Sequence, residues 1–162
     1  MSRLFSIIVG LFVLTFSAAY GQLPGGLSAR DPNEPEFMEK AWKSTTTLNE
    51  ANAGTYVMVP VKVSFDTEQA ILSNVQGDAN FQVVKAETQV VAGLKYILEV
   101  LFGESSCKKG EVALSDVNKS NCELRANGNR ALYKVELWEK AWENFQQFTV
   151  SKIRDVAAGE NI

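Results

Sequence analysis

Residues 83–102 read VVKAETQVVAGLKYILEVLF, and this stretch decides the fold that the sequence predicts. Two runs rich in β-branched and aromatic residues, 83–91 and 94–102, flank the dipeptide Ala92-Gly93, which suits a tight turn. In the second run, one face of a strand would carry Leu94, Tyr96, Leu98 and Val100. We therefore predict a β-hairpin whose tip is Gln89-Val90-Val91-Ala92-Gly93.

A single helix is predicted before this hairpin, over residues 34–52. Its apolar stripe recurs at helical spacing and consists of Phe37, Met38, Ala41, Trp42, Thr45 and Leu48. Asn33 with Glu36 suits a capping box, and Asp31 competes for the same role. A short strand over residues 56–63 follows the helix, and Pro60 within it favours an edge strand or a bulge.

A second hairpin is predicted after the first. Its first strand carries Tyr133, Val135 and Leu137 on one face, its turn lies near residues 140–142, and its return strand covers 144–151. Residues 103–129 are polar and turn-rich, and residues 152–162 suit a loose polar tail. One helix followed by an antiparallel sheet belongs to the α+β class.

The first 21 residues predict a secretory signal peptide. Arg3 supplies a positive start, residues 4–16 form an apolar run, and small residues over 17–21 offer a cleavage site. A membrane anchor is the alternative, but the apolar run is too short for a comfortable span and no second run follows. Cleavage after Gly21 would leave a secreted, extracellular protein with one domain over residues 22–151.

The composition argues against several classes of function. The chain has no histidine, which removes Ser-His and Cys-His catalysis and the usual zinc sites. The formal net charge is −3, which is a poor match for nucleic acid or for an anionic membrane surface. We therefore expect that the protein is not an enzyme, holds no metal or cofactor, and binds neither nucleic acid nor membrane.

Two further motifs accompany the first hairpin. Leu23-Pro24-Gly25-Gly26 belongs to a flexible or extended arm over residues 23–32, and Trp138-Glu139-Lys140-Ala141-Trp142 leads into the second turn. A tryptophan in a turn cannot bury both of its faces in its own sheet, so Trp142 suits an interface anchor. Taken singly, each motif has an ordinary explanation, namely a simple turn, a disordered terminus, or a tryptophan packed on its own sheet as Trp138 would be.

In this order, behind a signal peptide, these motifs resemble the cystatins over roughly residues 23–151, and in particular the secreted nematode type. Cystatins are reversible, tight-binding protein inhibitors of papain-like cysteine proteases such as the cathepsins. The resemblance implies the cystatin fold, in which an antiparallel sheet wraps around one long helix. It also implies a monomer that wedges into the protease cleft without a covalent bond.

The resemblance assigns roles to individual residues. Leu23 and Pro24 would enter the non-primed pockets of the protease, and Gly25 would be the hinge of the arm. The two inhibitory turns would consist of Gln89, Val90, Val91, Ala92 and Gly93 in the first and Trp142 in the second. Pro24 replaces a larger aliphatic residue and Ala141 replaces the usual proline. Together with an insertion over residues 63–82, these departures slightly favour a rival function, that of a non-inhibitory binding module with the cystatin fold.

Some cystatins also inhibit legumain, through a Ser-Asn-Asp site that follows the helix. The matching stretch here is Asn52-Ala53-Gly54, in which Ala53 occupies the position of the reactive asparagine. The resemblance therefore implies that this second site is lost, unless Asn52 substitutes after a slip of one residue.

The chain has two cysteines, Cys107 and Cys122, an even count in the oxidising compartment that secretion implies. We therefore predict one disulfide between them. Secreted cystatins commonly carry a second disulfide near the C-terminus, which nematode-type members can lack, as this chain does. Asn118-Lys119-Ser120, between the cysteines, matches the sequon for N-glycosylation.

Residues 63–82 interrupt the resemblance. In cystatins the strand after the helix runs directly into the first hairpin, and joining Lys62 to Val83 would restore such a strand. Three interpretations stay open: a functional insertion, a bulged surface loop, and a retained intron. The third arises because Val63-Ser64-Phe65 and Phe81-Gln82 can be encoded by intron-boundary sequences, and surface loops tolerate long insertions in any case.

Overall fold

The structure, a computed structural model, describes residues 25–61, 83–157, 160 and 162. Its elements in chain order are β1 (Leu27–Arg30), α1 (Pro35–Lys43), α2 (Thr45–Ala51), β2 (Tyr56–Pro60), β3 (Val83–Val91), β4 (Gly93–Lys108), β5 (Arg130–Lys140) and β6 (Phe145–Val156). Two short 3-10 turns cover Leu114–Asp116 and Ala141–Glu143. This order of helix and antiparallel strands confirms the α+β class.

The helices α1 and α2 form one helical run that is interrupted at Ser44. Ser44 keeps helical backbone angles, with φ −72° and ψ −13°. Its hydroxyl donates to the carbonyl of Ala41 at 2.7 Å, a bond back along the helix that tends to bend it. The buried residues Phe37, Ala41 and Leu48 belong to the predicted stripe. The single predicted helix is therefore confirmed, with a local break.

The predicted helix caps are wrong. Glu34 is the N-cap residue and makes no capping hydrogen bond through its side chain, and Pro35 follows as the first helical residue. Asp31 instead accepts hydrogen bonds from the backbone and side-chain N–H groups of Asn33, at 3.0 Å and 2.9 Å. A local turn between Asp31 and Asn33 thus engages both predicted caps.

All six strands belong to one antiparallel sheet in the order β1-β3-β4-β5-β6, with β2 also paired to β4. One face of this sheet packs against the helix. The core between them includes Phe37, Ala41, Leu48, Tyr96, Leu98, Val100, Phe102, Val135 and Leu137. The alternation predicted for both hairpins is therefore confirmed, because its residues face the helix.

Two strands share one edge of β4. Pro60 pairs with Phe102, and the N–H of Val61 donates to the carbonyl of Leu101 at 2.9 Å. Val83 pairs with Val100, which directly precedes Leu101 in β4. The described chain therefore leaves β2 and enters β3 at two consecutive positions of one ladder. Among the described strands β2 pairs only with β4, so Pro60 occupies an edge strand, as the sequence predicts.

The first and last strands of the described domain include residues that the sequence assigns to a loose arm and a loose tail. Residues 152–156, predicted to be part of a loose tail, continue β6, whose pairing with β5 extends to Val156 opposite Arg130. Val156 is buried, at 6% exposure. Leu27–Arg30, in the predicted arm, forms β1 and pairs with β3 from Leu27 opposite Gln89 to Arg30 opposite Ala86. The domain therefore extends past residue 151.

We call the end of the sheet that carries Lys108 and residues 109–129 the far end. A disulfide joins Cys107 to Cys122 there, as the sequence predicts. Both cysteines pack with Val57 and Val59 in a cluster separate from the main core. Among the described residues, no helix is both long and apolar enough to span a bilayer.

Candidate protein-binding site

The arm and the two hairpin turns lie side by side at the end of the sheet opposite the far end. The register pairs Leu27 with Gln89, Leu94 with Glu139, and Lys140 with Phe145. Because paired residues of adjacent strands lie at one level, the arm, the first turn and the second turn lie next to one another at this end of the sheet. We call residues 25–27, 89–93 and 140–144 the turn end.

The first turn is as tight as the sequence predicts. Strand β3 ends at Val91 and β4 begins at Gly93, so only Ala92 separates them. Gly93 has φ +112°, a conformation that other residues rarely adopt. A Cβ atom there would lie 2.2 Å from the carbonyl oxygen of Glu139 on β5. Glycine is therefore required both for the turn itself and for its close contact with β5.

The arm reaches the first turn through one side chain. The Nε2 of Gln89 donates a hydrogen bond to the carbonyl of Gly25 at 2.7 Å. Gly25 has φ +94°, and a Cβ atom on it would meet nothing within 4 Å. Gly25 is thus a turn residue in open space, whereas Leu23 and Pro24 lie outside the described residues.

The second turn presents Trp142 to solvent. This side chain is 69% exposed and lies in the 3-10 turn Ala141–Glu143. Asn144 ends the turn in the left-handed region, at φ 50°. The Glu143 carboxylate accepts hydrogen bonds from the Nζ of Lys140 at 3.0 Å and from the indole N–H of Trp142 at 3.1 Å. These two bonds, first that of Lys140, lower the pKa of Glu143 below its usual value.

Trp138 has a contact that the sequence does not reveal. Its indole N–H donates to the carbonyl of Ala92 at 3.0 Å and so joins β5 to the first turn. Its ring also meets that of Phe145 edge to face, with the centroids 5.4 Å apart. The sequence suggests only that Trp138 packs on its own sheet. No local signal in the sequence reveals this contact, because it depends on the strand register, which aligns Leu94 with Glu139 and so places Trp138 near the first turn.

Exposed apolar side chains concentrate at the turn end. Among the described residues, five large apolar side chains are exposed, and four of them are Leu27, Val90, Val91 and Trp142. The fifth, Ile153, lies on β6 away from this end. Exposed apolar residues gathered at one end of a small domain indicate an interaction surface. The turn end is therefore the strongest candidate for a protein-binding site.

Comparison with known proteins identifies the family of this chain. The family model described as the Cystatin domain matches residues 79–155. Cystatin cpi-1 of Caenorhabditis elegans is 40% identical over 159 residues, which cover 98% of this chain and 99% of that relative. The chain belongs to the cystatin family. Onchocystatin of Onchocerca volvulus is 28% identical over 134 residues, covering 83% of this cystatin and 69% of onchocystatin.

Solved structures show the same fold. The crystal structure of Al-CPI matches with a TM-score of 0.57 and 30% identity, over 79% of this cystatin and 99% of that chain. A salivary cystatin of the soft tick Ornithodoros moubata matches with a TM-score of 0.59 at 23% identity, over 80% and 98%. Its likeness bears on the fold alone. Family membership supports the role of a cysteine protease inhibitor, and not that of an enzyme.

The stretch at the legumain position lies beside the far end. Asn52 caps the C-terminus of α2, and its Oδ1 accepts a hydrogen bond from the N–H of Gly54 at 3.0 Å. Lys109 donates through Nζ to the carbonyls of Asn49, at 2.6 Å, and of Asn52. Burial lowers the pKa of Lys109. Lys109 thus holds the helix end and the loop that follows it.

The sequon asparagine is accessible. Asn118 is exposed in a turn near the disulfide. Its Oδ1 accepts from the N–H of Ser120 at 2.9 Å, and its Nδ2 donates to the carbonyl of Asp116 at 2.9 Å. The sequon therefore forms a local turn on the surface, and glycosylation of Asn118 stays a prediction.

Proposed function

We propose that this cystatin is a secreted, monomeric, reversible and tight-binding inhibitor of papain-like cysteine proteases of the cathepsin type. The observation that carries the proposal is the group of exposed apolar residues at the turn end, formed by Leu27, Val90, Val91 and Trp142. Secretion rests on the signal peptide predicted over residues 1–21, which lie outside the described residues.

The proposed mechanism is occlusion of the cleft. The first turn, through Val90 and Val91, enters the protease cleft at its catalytic cysteine, and Trp142 anchors against the wall on one side. Leu23, Pro24 and Gly25 occupy the other side, where Pro24 fills an apolar pocket less completely than a larger aliphatic residue. The first turn is tight and backed by β5, so it loses little conformational freedom on docking.

The same geometry accounts for reversibility. The described residues of the turn end include no serine, threonine or cysteine, and the proposed complex needs no covalent bond. Affinity then depends on apolar burial and on shape, with the largest single contribution from an aromatic anchor such as Trp142. This role requires neither a cofactor nor a histidine.

The test is a titration of papain with folded protein of residues 22–162, using a fluorogenic peptide substrate. We expect near-stoichiometric loss of activity, full recovery on dilution, and an intact inhibitor chain by mass spectrometry. Replacing Trp142→Ala should weaken inhibition by about 30-fold, which corresponds to an anchor worth about 2 kcal/mol. Ile153→Ala is the matched control, because it removes an exposed apolar side chain outside the turn end.

Full papain activity in a large molar excess of folded protein would contradict the proposal. If a separate binding assay then showed a complex without inhibition, the rival function would hold, that of a non-inhibitory binding module. Equal losses for Trp142→Ala and Ile153→Ala would instead contradict the assignment of the turn end as the contact surface.

A further inference from the structure

Two side-chain N–H groups hold the three segments of the turn end together. Gln89 donates to the carbonyl of Gly25 in the arm, at 2.7 Å. Trp138 donates to the carbonyl of Ala92 in the first turn, at 3.0 Å. Each bond joins a side chain on a paired strand to a backbone carbonyl in a neighbouring segment. Together they connect the arm to β3, and the first turn to β5.

We infer that Gln89 and Trp138 are positioning residues, which fix the arm and the first turn in the arrangement that the protease meets. For its inhibition readout this inference rests on the proposed function. For Gln89 it differs from the role implied by family resemblance, in which that residue belongs to the contact surface. Its amide already has a partner within the chain, so its contribution passes through the arm.

The environment of Gln89 supports this role. The arm pairs with β3 only over Leu27–Arg30, and Leu27 opposite Gln89 is the last pair before Gly25. A four-residue strand at a sheet edge frays readily at its end. The hydrogen bond from Gln89 attaches the arm to β3 beyond the last ladder position, and it fixes the position of Gly25 relative to β3.

The environment of Trp138 supports the same role for the first turn. Its ring packs edge to face with the ring of Phe145 on β6, and the Nζ of Lys140 lies 4.9 Å from the Trp138 ring centroid. The indole N–H therefore points from a packed ring to Ala92. The backbone contact of Gly93 with Glu139 lies next to this bond, so a side-chain contact and a backbone contact hold the turn against β5.

Preformed segments gain affinity because less conformational freedom is lost on binding. Removing one such hydrogen bond should therefore weaken inhibition by about two- to tenfold, the range that corresponds to one net hydrogen bond. The loss should be accompanied by faster amide hydrogen exchange in the segment that the bond holds, measured on the free protein.

For Gln89 the experiment is a double-mutant cycle. Gln89→Met keeps the length of the side chain and removes the donor. It is made in the chain of residues 22–162 and in a chain that begins at Leu27 and so lacks Gly25. We expect Gln89→Met to weaken inhibition two- to tenfold in the first chain and to leave it unchanged in the second. An equal loss in both chains would show a direct contact with the protease and would overturn the inference.

The matched control for Gln89 is Gln147→Met. Gln147 faces Trp138, which faces Lys95, which faces Gln89, so the two glutamines share a level and a face of the sheet. Gln147→Met should leave both inhibition and exchange unchanged. Amides of residues 27–30 should exchange faster in Gln89→Met than in this control, and equal rates would overturn the inference.

For Trp138 the variant is Trp138→Phe, which keeps an aromatic ring and removes the donor. Amides of residues 89–95 should exchange faster and inhibition should weaken two- to tenfold, whereas Trp42→Phe on the helix should change neither. In the unmodified protein the indole proton of Trp138 should exchange more slowly than that of free tryptophan, as measured by NMR. No change in residues 89–95, or an indole rate equal to that of free tryptophan, would overturn the inference.

The two levels of proposal can fail separately. If the unmodified chain does not inhibit papain, the proposed function fails, while hydrogen exchange on the free variants still decides whether Gln89 and Trp138 hold these segments. If the unmodified chain inhibits and the variants change neither exchange nor inhibition, only the positioning inference fails.

Discussion

Replacing Gly93→Ala tests how closely the first turn must approach β5. The new Cβ atom would lie 2.2 Å from the carbonyl oxygen of Glu139 and 3.1 Å from the Cγ of Lys140. The carbonyl belongs to the backbone of a paired strand, so it cannot rotate away as a side chain would. Relief requires the first turn to separate from β5, next to the pair Leu94–Glu139.

The size of the effect follows from two contributions. A residue with a side chain at φ +112° costs about 1–3 kcal/mol in backbone strain. The steric overlap adds about 1–3 kcal/mol, which is the usual cost of overpacking. We therefore expect Gly93→Ala to lower the free energy of unfolding by about 2–6 kcal/mol. Inhibition should also weaken, because the turn moves.

Gly110→Ala is the matched control for the backbone contribution. Gly110 has φ +86°, and a Cβ atom on it would meet nothing within 4 Å. Urea denaturation of the unmodified protein and of both variants would measure the two costs. Gly93→Ala should be the less stable variant by about the overpacking contribution. If it is no less stable than Gly110→Ala, the contact between the first turn and Glu139 does not constrain the fold as we argue.

Four further predictions address the remaining features. Replacing Cys107 and Cys122 by Ala should lower the free energy of unfolding by about 3 kcal/mol and leave inhibition at 25 °C unchanged; two free thiols by mass spectrometry of the unreduced protein would contradict the bond. Deleting residues 63–82 should raise the free energy of unfolding by about 2–3 kcal/mol, the closure cost of a loop of that length, and should leave inhibition equal or tighter. The segment would be a genuine part of the domain if every transcript carries it and the deletion variant is not secreted or does not inhibit. The chain should not inhibit legumain tightly, because Ala53 occupies the reactive position; nanomolar inhibition lost on replacing Asn52 would contradict this. The ratio of inhibition constants for Glu143→Gln and the unmodified chain should stay constant from about pH 7 to about pH 5 and change only below about pH 4.5. The reason is that a carboxylate with a lowered pKa stays ionised and keeps its hydrogen bonds above its usual pKa, and loses them as the pH falls through the lowered value. A ratio that changes near neutral pH would refute the assignment.

The first hairpin and the helix were predictable because their buried residues recur at a regular spacing in the sequence. Leu98 and Val100 alternate with half-buried residues along β4, and Phe37 and Ala41 recur at helical spacing. Each spacing arises because these residues pack in the same core. The turn was predictable too, since the Ala92-Gly93 pair suits the backbone that a tight turn requires.

Strands held by pairing alone were not predictable. Residues 152–156 read KIRDV, and all of them except Val156 are exposed, so no alternation of buried residues marks them as a strand. Strand β1 depends on β3, which is distant along the chain, and its own four residues carry no pattern. The bond from Trp138 to Ala92 likewise depends on the register between strands, which no local stretch of sequence encodes.

The length of β4 separates the two ends of this cystatin. Its 16 residues span about 50 Å from Gly93 at the turn end to Lys108 at the far end. When the turn end is inserted in a protease, the far end must project into solvent. A glycan on Asn118, a dye, or a link to a solid support at residues 110–121 would therefore not obstruct capture. Attached there, every molecule would present its turn end in one orientation, as an affinity reagent for cysteine proteases requires.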